Sequence, residues 1–224
     1  MSTGVRLVVL GRQGAGKGTQ SARLARHYSV AHVATGDILR RAVRAGSELG
    51  RRAKEHIDAG ELLPDDLMVG IVAERLGGDD VRSGFVLDGF PRTVAQARAL
   101  LEMTEPEGVD LVVNLDVPPE EVLARLDRRR VCRHCGATYS TAAPPEVEGV
   151  CDRCGGEVVQ RDDDTPEAVN RRLALYERDT EPLIAWFEGR GLLVTVDGRG
   201  DADEVTERLV AVIAHRRREE EHAP

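Results

Sequence analysis

A glycine-rich loop that directly follows a short apolar run is the feature that most constrains this chain. Residues 7–10 read Leu-Val-Val-Leu and end at Gly11, a pattern typical of a strand that is buried on both faces. Beyond the loop, apolar residues recur at helical spacing over residues 17–28. The sequence therefore predicts a strand, a glycine loop and a helix in succession.

The loop itself, residues 11–19, reads Gly-Arg-Gln-Gly-Ala-Gly-Lys-Gly-Thr. Its glycines let the backbone fold into a nest of inward-pointing N–H groups, and the helix N-terminus adds the positive end of its dipole. Lys17, one of only two lysines in the chain, brings a full positive charge. The pattern predicts binding of a nucleoside triphosphate, whereas the alternative is a turn that merely joins a strand to a helix.

One position departs from the usual phosphate-loop pattern. Gly18 stands where a Ser or Thr would bind Mg²⁺, and Thr19 comes one residue late. We therefore expect any Mg²⁺ to be held by the phosphates, water and a carboxylate from elsewhere in the chain.

The rest of the chain continues the alternation of strands and helices. Buried strands are predicted at residues 84–88, 111–117 and 192–196, after a short apolar stretch before residue 35. The predicted helices span residues 37–45, 48–59, 65–76, 93–103, 120–129, 165–186 and 203–215. This alternation favours a parallel sheet covered on both faces. The charge run 216–224 is expected to be a frayed, solvated end.

Length and charge narrow the classes of function. A chain of 224 residues suits one globular domain with insertions, or one domain with a small lobe. The net charge of −8 argues against a protein that binds duplex nucleic acid stably. The N-terminus lacks an apolar run long enough for a signal peptide or a membrane span. A cytoplasmic location is therefore expected, where thiols stay reduced.

Four cysteines stand in two evenly spaced pairs, Cys132 with Cys135 and Cys151 with Cys154. Two CxxC pairs separated by fifteen residues are typical of a zinc site. Four thiolates would fill a tetrahedral coordination sphere, so the metal is expected to be structural. Reduced cysteines or disulfides are the alternatives, and the expected cytoplasmic location argues against disulfides.

Two further segments are candidates for an acceptor site. Residues 35–37, Thr-Gly-Asp, open a helix that carries Arg40, and residues 88–93, Asp-Gly-Phe-Pro-Arg-Thr, follow a buried strand. In an open parallel sheet, ligands bind at the carboxyl ends of the strands. Both segments are therefore expected to lie near the glycine loop.

Together with the arginines around Arg125, Arg129, Arg161 and Arg172, these motifs resemble the adenylate kinases, within the nucleoside monophosphate kinases, over residues 7–198. The resemblance implies a three-layer α/β P-loop fold with a central parallel five-stranded sheet. It places the core in residues 1–34, 65–127 and 165–224. A small helical monophosphate-binding insertion would occupy residues 35–64, and a zinc-binding lid, as in long-lid bacterial members, residues 128–164.

The resemblance also implies the activity and the site residues. The reaction would be the reversible, Mg²⁺-dependent transfer of the terminal phosphoryl group of ATP to AMP, giving two ADP, in a monomer that binds neither nucleic acid nor membrane. The implied catalytic residues are Lys17, Asp88, Arg92, Arg129, Arg161 and Arg172. The implied ATP-binding residues are Gly14, Ala15, Gly16, Lys17, Gly18, Thr19, Arg125, Arg129 and Gly198. The implied AMP-binding residues are Thr35, Arg40, Glu61, Leu62, Leu63, Gly89, Arg92, Gln96, Arg161 and Arg172.

Within these sets the resemblance assigns particular roles. Lys17 would contact the transferred phosphoryl group, and Asp88 would orient water on Mg²⁺. Arg40 and Arg92 would hold the phosphate of the monophosphate, because a guanidinium bonds phosphate oxygens in pairs. The Gln96 amide would read the edge of adenine with one donor and one acceptor.

Four further residues lie near these motifs. Asp163 and Asp164 either pair with the arginines and latch the closed lid, or are simply solvated. Arg12 and Gln13 stand where many relatives carry proline, and Arg12 would add positive charge at the mouth of the loop. Because the acceptor is an ionised phosphate, no general base is required, but the site must close to exclude water.

Two other functions remain open at this point. The first is a kinase for UMP, CMP or GMP instead of AMP, since the choice of base rests largely on the resemblance. The second is a zinc-ribbon binding module attached to a nucleotide-regulated switch, with RNA as a candidate partner. The net charge of −8, the aromatic content of 3% and the acceptor-side motifs count against the second.

Overall fold

A five-stranded parallel sheet forms the centre of the molecule, as predicted. The computed structural model describes residues 4–59, 61–161 and 164–221. With strands numbered along the chain, the central sheet consists of β1 (Arg6–Leu10), β2 (Ala31–Ala34), β3 (Phe85–Asp88), β4 (Leu111–Asp116) and β8 (Leu193–Asp197). Their order is β2-β3-β1-β4-β8, and every neighbouring pair is parallel.

Helices cover both faces of this sheet. They are α1 (Lys17–His27), α2 (Thr35–Arg44), α3 (Glu48–Ala59), α4 (Asp65–Leu76), α5 (Val94–Met103), α6 (Pro119–Arg128), α7 (Pro166–Leu175), α8 (Pro182–Glu188) and α9 (Ala202–Glu221). No helix in the described part of the chain combines the length and apolar character needed to cross a bilayer.

Strand β1 is apolar along its length because its residues contribute to two separate cores. Val8 and Leu10 pack on one face of the sheet with residues of α4, α5 and α8. Leu7 and Val9 pack on the other face with residues of α1, α6 and α9. Because alternate residues of a strand point to opposite faces, both positions of the alternation are apolar. The fold is therefore the predicted three-layer α/β arrangement.

A second, antiparallel sheet lies between α6 and α7. Its strands are β5 (Arg129–Cys132), β6 (Thr138–Ser140) and β7 (Val158–Val159), in the order β6-β5-β7. The buried centre of this sheet consists of Cys132, Ala137 and Cys151, with Tyr139 and Val158 packed against it. A core this small needs another source of stability.

Two helical predictions need correction. The expected continuous helix 165–186 is interrupted by a π-helical turn, Tyr176–Thr180, before α8. Pro182 has no N–H to continue α-helical bonding, and the N–H of Glu181 bonds five residues back to the carbonyl of Tyr176 at 2.8 Å.

The expectation of a frayed end from residue 216 was also wrong for the residues that the structure describes. Helix α9 continues to Glu221, while residues 222–224 lie outside the described residues. Glu219 pairs with His215 at 3.4 Å and with Arg216 at 3.7 Å. Opposite charges three and four residues apart stabilise a helix, so this charge run is helical.

The sheet order determines where a ligand can bind. The connection that leaves β1 leads to β2 on one side of the sheet, whereas the connection that leaves the neighbouring strand β4 leads to β8 on the other side. Such a switch point opens a crevice at the carboxyl edge of a parallel sheet. The glycine loop follows β1 directly and therefore lies at this crevice.

Candidate active site

The glycine loop ends in an uncapped helix N-terminus. Gly16 occupies the N-cap position of α1, where it offers no side-chain cap, and the described first turn of α1 holds no acidic residue. The first N–H groups of a helix lack partners within the helix and carry the positive end of its dipole. This end of α1 is therefore suited to bind an anion.

Lys17 is folded back onto the loop. Its Nζ donates hydrogen bonds to the carbonyls of Gly11 at 2.8 Å and Arg12 at 2.9 Å. Burial lowers the pKa of Lys17 to about 8; the charge of Asp88 opposes this shift, and that of Arg92 adds to it. The ammonium is thus held by neutral carbonyls, in a position where phosphate oxygens can replace them.

Asp88 faces the loop at the position of the unusual glycine. This residue ends β3, and a Cβ built on Gly18 would lie 3.3 Å from Asp88 Oδ2. A Ser or Thr at position 18 would crowd against this carboxylate. At position 18, where the usual pattern has a hydroxyl, this loop therefore has a glycine beside a carboxylate.

Several arginines gather around Asp88. Burial lowers the pKa of Arg92, the Asp88 carboxylate opposes the shift, and the charges of Arg172 and Arg40 add to it. Arg129 similarly lowers the pKa of Lys17. Lys17 and four arginines thus bring positive charge from five chain segments close together, an arrangement that a bound polyanion would stabilise.

Arg125 connects two of the predicted ATP-binding segments. It donates to the carbonyls of Ala15 at 3.2 Å and Gly198 at 3.0 Å, and it pairs with Glu121. The end of the loop and the turn after β8 are therefore held together by one guanidinium.

Asp164 resolves one of the alternatives left open by the sequence. Its side chain is fully buried and pairs with Arg129, and one of its oxygens accepts a bond from Gln13 at 3.4 Å. Asp164 is therefore a partner of the arginines and is not solvated. Its neighbour Asp163 lies outside the described residues. Arg161 precedes Asp164 by three positions, and its carbonyl accepts a hydrogen bond from the N–H of Asp164 at 3.0 Å.

The two acceptor-side segments meet at the ends of β2 and β3. Thr35 Oγ1 donates to the carbonyl of Asp88 at 3.2 Å. Gly89 has a φ of +84°, and a Cβ there would lie only 2.7 Å from Thr35 Oγ1. Only glycine fits this position without strain. The Arg92 guanidinium in turn donates to the carbonyl of Gly89 at 2.9 Å.

Gln96 is held by a network that the sequence did not reveal. Its side chain is 2% exposed; Oε1 accepts from the N–H of Arg92 at 2.8 Å, and Nε2 donates to Asp65 at 2.7 Å. Asp65 also accepts from the N-cap residue Thr93 at 2.9 Å. In the sequence Asp65 appeared only as the first residue of a helix, and nothing there connects it to Gln96.

The remaining residues that were predicted to bind the monophosphate lie in the connection between α3 and α4. Leu63 is buried in the core on that side of the sheet. Leu62 is half-buried, and Glu61 is exposed beside His56, whose Nδ1 lies 3.6 Å from the Glu61 carboxylate.

Comparisons with known proteins agree on one family. A family model described as Adenylate kinase matches residues 9–192. The chain belongs to the adenylate kinase family. Curated relatives named adenylate kinase include proteins from Archaeoglobus fulgidus, 49% identical over 92% of this chain and 97% of the relative, and from Thermodesulfovibrio yellowstonii, 48% identical over 93% and 99%. A relative from Methanosarcina mazei is 48% identical over 93% and 98%.

The family confirms what the resemblance implied about fold and class of enzyme. Adenylate kinases are phosphotransferases, and the central parallel sheet with the glycine loop after β1 is the P-loop fold expected for them. The match covers both the loop and the acceptor-side segments. It thereby argues against a binding module attached to a nucleotide switch.

The four cysteines form the candidate metal site of this adenylate kinase fold. One Sγ from each of Cys132, Cys135, Cys151 and Cys154 lies within 4.8 Å of the others, and all four cysteines are free thiols. Backbone N–H groups of His134 and Cys135 point at the sulfur of Cys132, at 3.4 and 3.5 Å. Sulfur ligands at this spacing fit zinc, with all four positions taken by protein.

The thiols of this cluster already differ in acidity. A hydrogen bond from Tyr139 lowers the pKa of Cys151 to about 6, whereas burial raises that of Cys135 to about 12. A metal ligand must be a thiolate. Cys151 is therefore deprotonated more readily than Cys135, and binding of a cation would release a proton from Cys135.

The small sheet lies close to the α2 segment. A Cβ built on Gly136, in the first cysteine knuckle, would lie 3.9 Å from the Asp37 carboxylate. Arg40 pairs with this same Asp37. The first cysteine knuckle and the helix that carries Arg40 thus lie close together.

Proposed function

We propose that the protein transfers the terminal phosphoryl group of ATP to AMP, reversibly, giving two ADP. The observation that carries this proposal is the concentration of Lys17, Arg92 and neighbouring arginines around Asp88, where the donor loop and both acceptor segments meet. Transfer between two polyanions demands charge neutralisation and alignment, and this site supplies both.

On the donor side, the N–H groups of the loop and of α1 would bind the phosphates of ATP. Lys17 would leave the carbonyls of Gly11 and Arg12 and contact the transferred group. Residues Gly14, Ala15, Gly16, Gly18 and Thr19 would line the same nest. Arg125 and Gly198, already bonded to each other, would border the nucleotide.

Mg²⁺ bound with ATP supplies charge neutralisation at the outer phosphates. Asp88 would hold water molecules bound to this Mg²⁺, because its carboxylate faces Gly18. Arg129, Arg161 and Arg172 would surround the phosphates once the site closes. Their forks suit the spread of charge in the transition state.

On the acceptor side, Arg40 and Arg92 would hold the phosphate of AMP. Gln96 retains one N–H and one oxygen lone pair beyond its bonds to Asp65 and Arg92. This pair matches the donor and acceptor on the edge of adenine. Thr35 and Gly89 would border the nucleotide, together with Glu61, Leu62 and Leu63.

Water must be excluded, since it competes with AMP as an acceptor. We assign residues 35–64 to the insertion that closes over AMP and residues 128–164 to the lid that closes over ATP. The remaining ranges, 1–34, 65–127 and 165–224, form the core that stays in place. The closeness of Gly136 to the Asp37 carboxylate supports a closed arrangement of these two parts.

We assign zinc to the four cysteines, in a purely structural role. The free thiols and the spacing of their sulfurs support this assignment. We further propose that the protein acts as a cytoplasmic monomer. Light scattering of the purified protein at working concentration tests the monomer, and a mass of twice the chain's would contradict it.

The experiment that tests the function measures ADP formation from ATP with AMP, UMP, CMP or GMP at equal concentrations. We expect AMP to be used far faster than the other three. A preference for another monophosphate would move the assignment to a different nucleoside monophosphate kinase. ADP formation that no monophosphate accelerates would contradict phosphoryl transfer between nucleotides.

A further inference from the structure

Arg12 in the phosphate loop makes contacts that the reaction described above does not use. Its guanidinium lies 3.2 Å from Glu181 and 3.8 Å from Asp116, and it sits over the ring of Tyr176 at 5.4 Å. Two carboxylates thus balance the charge expected at the loop mouth. The Arg12 side chain is only 19% exposed, so solvent screens these contacts less than those of an ordinary surface pair.

Two of these partners lie in or directly after a single π-helical turn. Tyr176 begins the π-helical turn Tyr176–Thr180, and Glu181 follows it. The 2.8 Å bond from the N–H of Glu181 to the carbonyl of Tyr176 closes this wide turn, so both residues reach the same guanidinium. Single π-helical turns occur frequently at functional sites.

The backbone of Arg12 holds the lysine that we assign to the transferred group. Its carbonyl accepts one bond from Lys17 Nζ at 2.9 Å and another from the N–H of Ala15 at 3.1 Å. A shift of Arg12 would therefore displace both the ammonium and the corner of the loop. One residue thus connects the π-helical turn to Lys17.

The same turn contacts the acceptor side. Thr180 Oγ1 donates to the carbonyl of Arg92 at 3.0 Å, and the Thr180 side chain is buried. The next loop residue, Gln13, bonds to Asp164 at 3.4 Å. The chain that follows the lid therefore contacts two side chains of the donor loop, Arg12 and Gln13, and the acceptor loop through Thr180.

We propose that Arg12 is a positioning residue for Lys17, and that it acts by clamping the phosphate loop to the π-helical turn Tyr176–Thr180. This inference rests on the proposed phosphoryl transfer. The clamp touches no reacting atom. It fixes the corner of the loop between Arg12 and Ala15. It thereby sets from where Lys17 reaches the transferred group, after leaving these carbonyls, relative to the acceptor loop that Thr180 holds.

Kinetics separate this role from a merely structural one. Arg12→Ala should lower kcat roughly tenfold to a hundredfold, because small displacements of a group that acts on the reacting atoms are costly. The KM for AMP should change little, since Arg92 keeps its own contacts. Thr180→Val releases the carbonyl of Arg92 and should show the opposite pattern, with the larger change in the KM for AMP.

Conservative variants test the contacts themselves. Arg12→Lys can keep an ion pair with Glu181 but loses the guanidinium that lies over the Tyr176 ring, so its kcat should lie between wild type and Arg12→Ala. Tyr176→Leu should resemble Arg12→Ala, whereas Tyr176→Phe, which keeps the ring, should restore most of kcat. The double variant Arg12→Ala/Tyr176→Leu should lose no more than the stronger single variant, because both break one clamp.

Arg23→Ala is the matched control, since Arg23 lies on α1, the helix that Lys17 begins, and makes its own ion pair with Asp203. Its kcat should stay within about twofold of wild type. If wild-type protein forms no ADP from ATP and AMP, the proposed function fails. If wild type is active but Arg12→Ala and Tyr176→Leu match it in kcat, or multiply their losses, the clamp is overturned while the function stands.

Discussion

The phosphate loop and the proposed lid, residues 128–164, are stabilised in different ways. The loop follows β1, whose residues Leu7 and Val8 are fully buried in two different cores. The lid sheet buries only Cys132, Ala137 and Cys151. The loop is therefore positioned by apolar packing beneath it, whereas the lid depends on its cysteines.

This difference predicts that activity and stability separate. The loop concentrates charge over a rigid support, so changes there should affect the reaction and leave the fold intact. The lid has little apolar core, so removal of its metal should affect the fold more than the chemistry. The predictions below test this separation, in order of decreasing effect.

Replacement of the loop lysine should have the largest effect. Lys17→Met should lower kcat by on the order of 10²–10³-fold or more, because it removes a positive charge aimed at the transferred group. The unfolding temperature should not fall, because burial disfavours the charged form of this side chain. Steady-state kinetics and a thermal melt measure both quantities on one sample.

The other lysine, Lys54, provides the control for this variant. It lies exposed on α3, and Lys54→Met should retain wild-type kcat. An equal loss in the two variants, or a strongly lowered melting temperature for Lys17→Met, would contradict the assignment of Lys17 to the chemistry alone.

Removal of the lid metal should come next. Chelation, or Cys151→Ser, should lower the unfolding temperature by roughly 10 °C or more, because the binding free energy of a structural metal is folding free energy. Turnover at moderate temperature should change far less. Tyr139→Phe removes the hydrogen bonds that the Tyr139 hydroxyl makes with Cys151 and with the N–H of Asp152, and it should cost a fraction of that stability.

Differential scanning calorimetry with and without chelator measures this effect, and zinc readdition should reverse it. Loss of turnover in chelated protein whose lid and core remain folded would show that the metal takes part in the reaction. That result would contradict a structural role.

A smaller effect is expected at the carboxylate that faces Gly18. Asp88→Asn should lower kcat by roughly ten- to a hundredfold and raise the Mg²⁺ concentration needed for half-maximal rate, since an amide holds the water of a cation less well. Asp66→Asn, at an exposed aspartate in the first turn of α4, is the comparison variant. An unchanged Mg²⁺ requirement in Asp88→Asn would place the metal elsewhere.

The smallest effect concerns pH. Burial lowers the pKa of Lys17 to about 8, so the ammonium is present below this pH and is lost as the pH rises through it. The kcat/KM for ATP, which reports the free enzyme, should therefore fall by up to about tenfold per pH unit above the pKa. Lys17→Arg, which stays charged, should lack this decline. A flat profile for wild type would remove Lys17 as the titrating group.

The same two regions show how much the sequence could predict. The apolar run, the glycine loop and the CxxC pairs are local patterns, so the fold class, the donor loop and the cysteine cluster followed from them. Partners distant in sequence did not: Asp65 bonds Gln96 across 31 positions, and Arg12 pairs with Glu181 across 169. Such contacts depend on the assembled tertiary structure, which neither spacing nor propensity encodes.

The π-helical turn was missed for a related reason. Residues 165–186 have helical composition throughout, and the turn arises where Pro182 breaks the bonding pattern of the preceding residues. The tail was misjudged because its charges were treated as solvated, although their spacing allows pairs along α9.

The most direct test of the account is the stoichiometry of transfer by the wild-type protein. With ATP and AMP supplied together with Mg²⁺, phosphorus NMR should show two ADP formed for each AMP consumed, with no inorganic phosphate. This is the result expected if the charge-lined site closes over both nucleotides and excludes water. One ADP and one phosphate per ATP, with AMP unchanged, would show that water is the acceptor and would contradict the central claim.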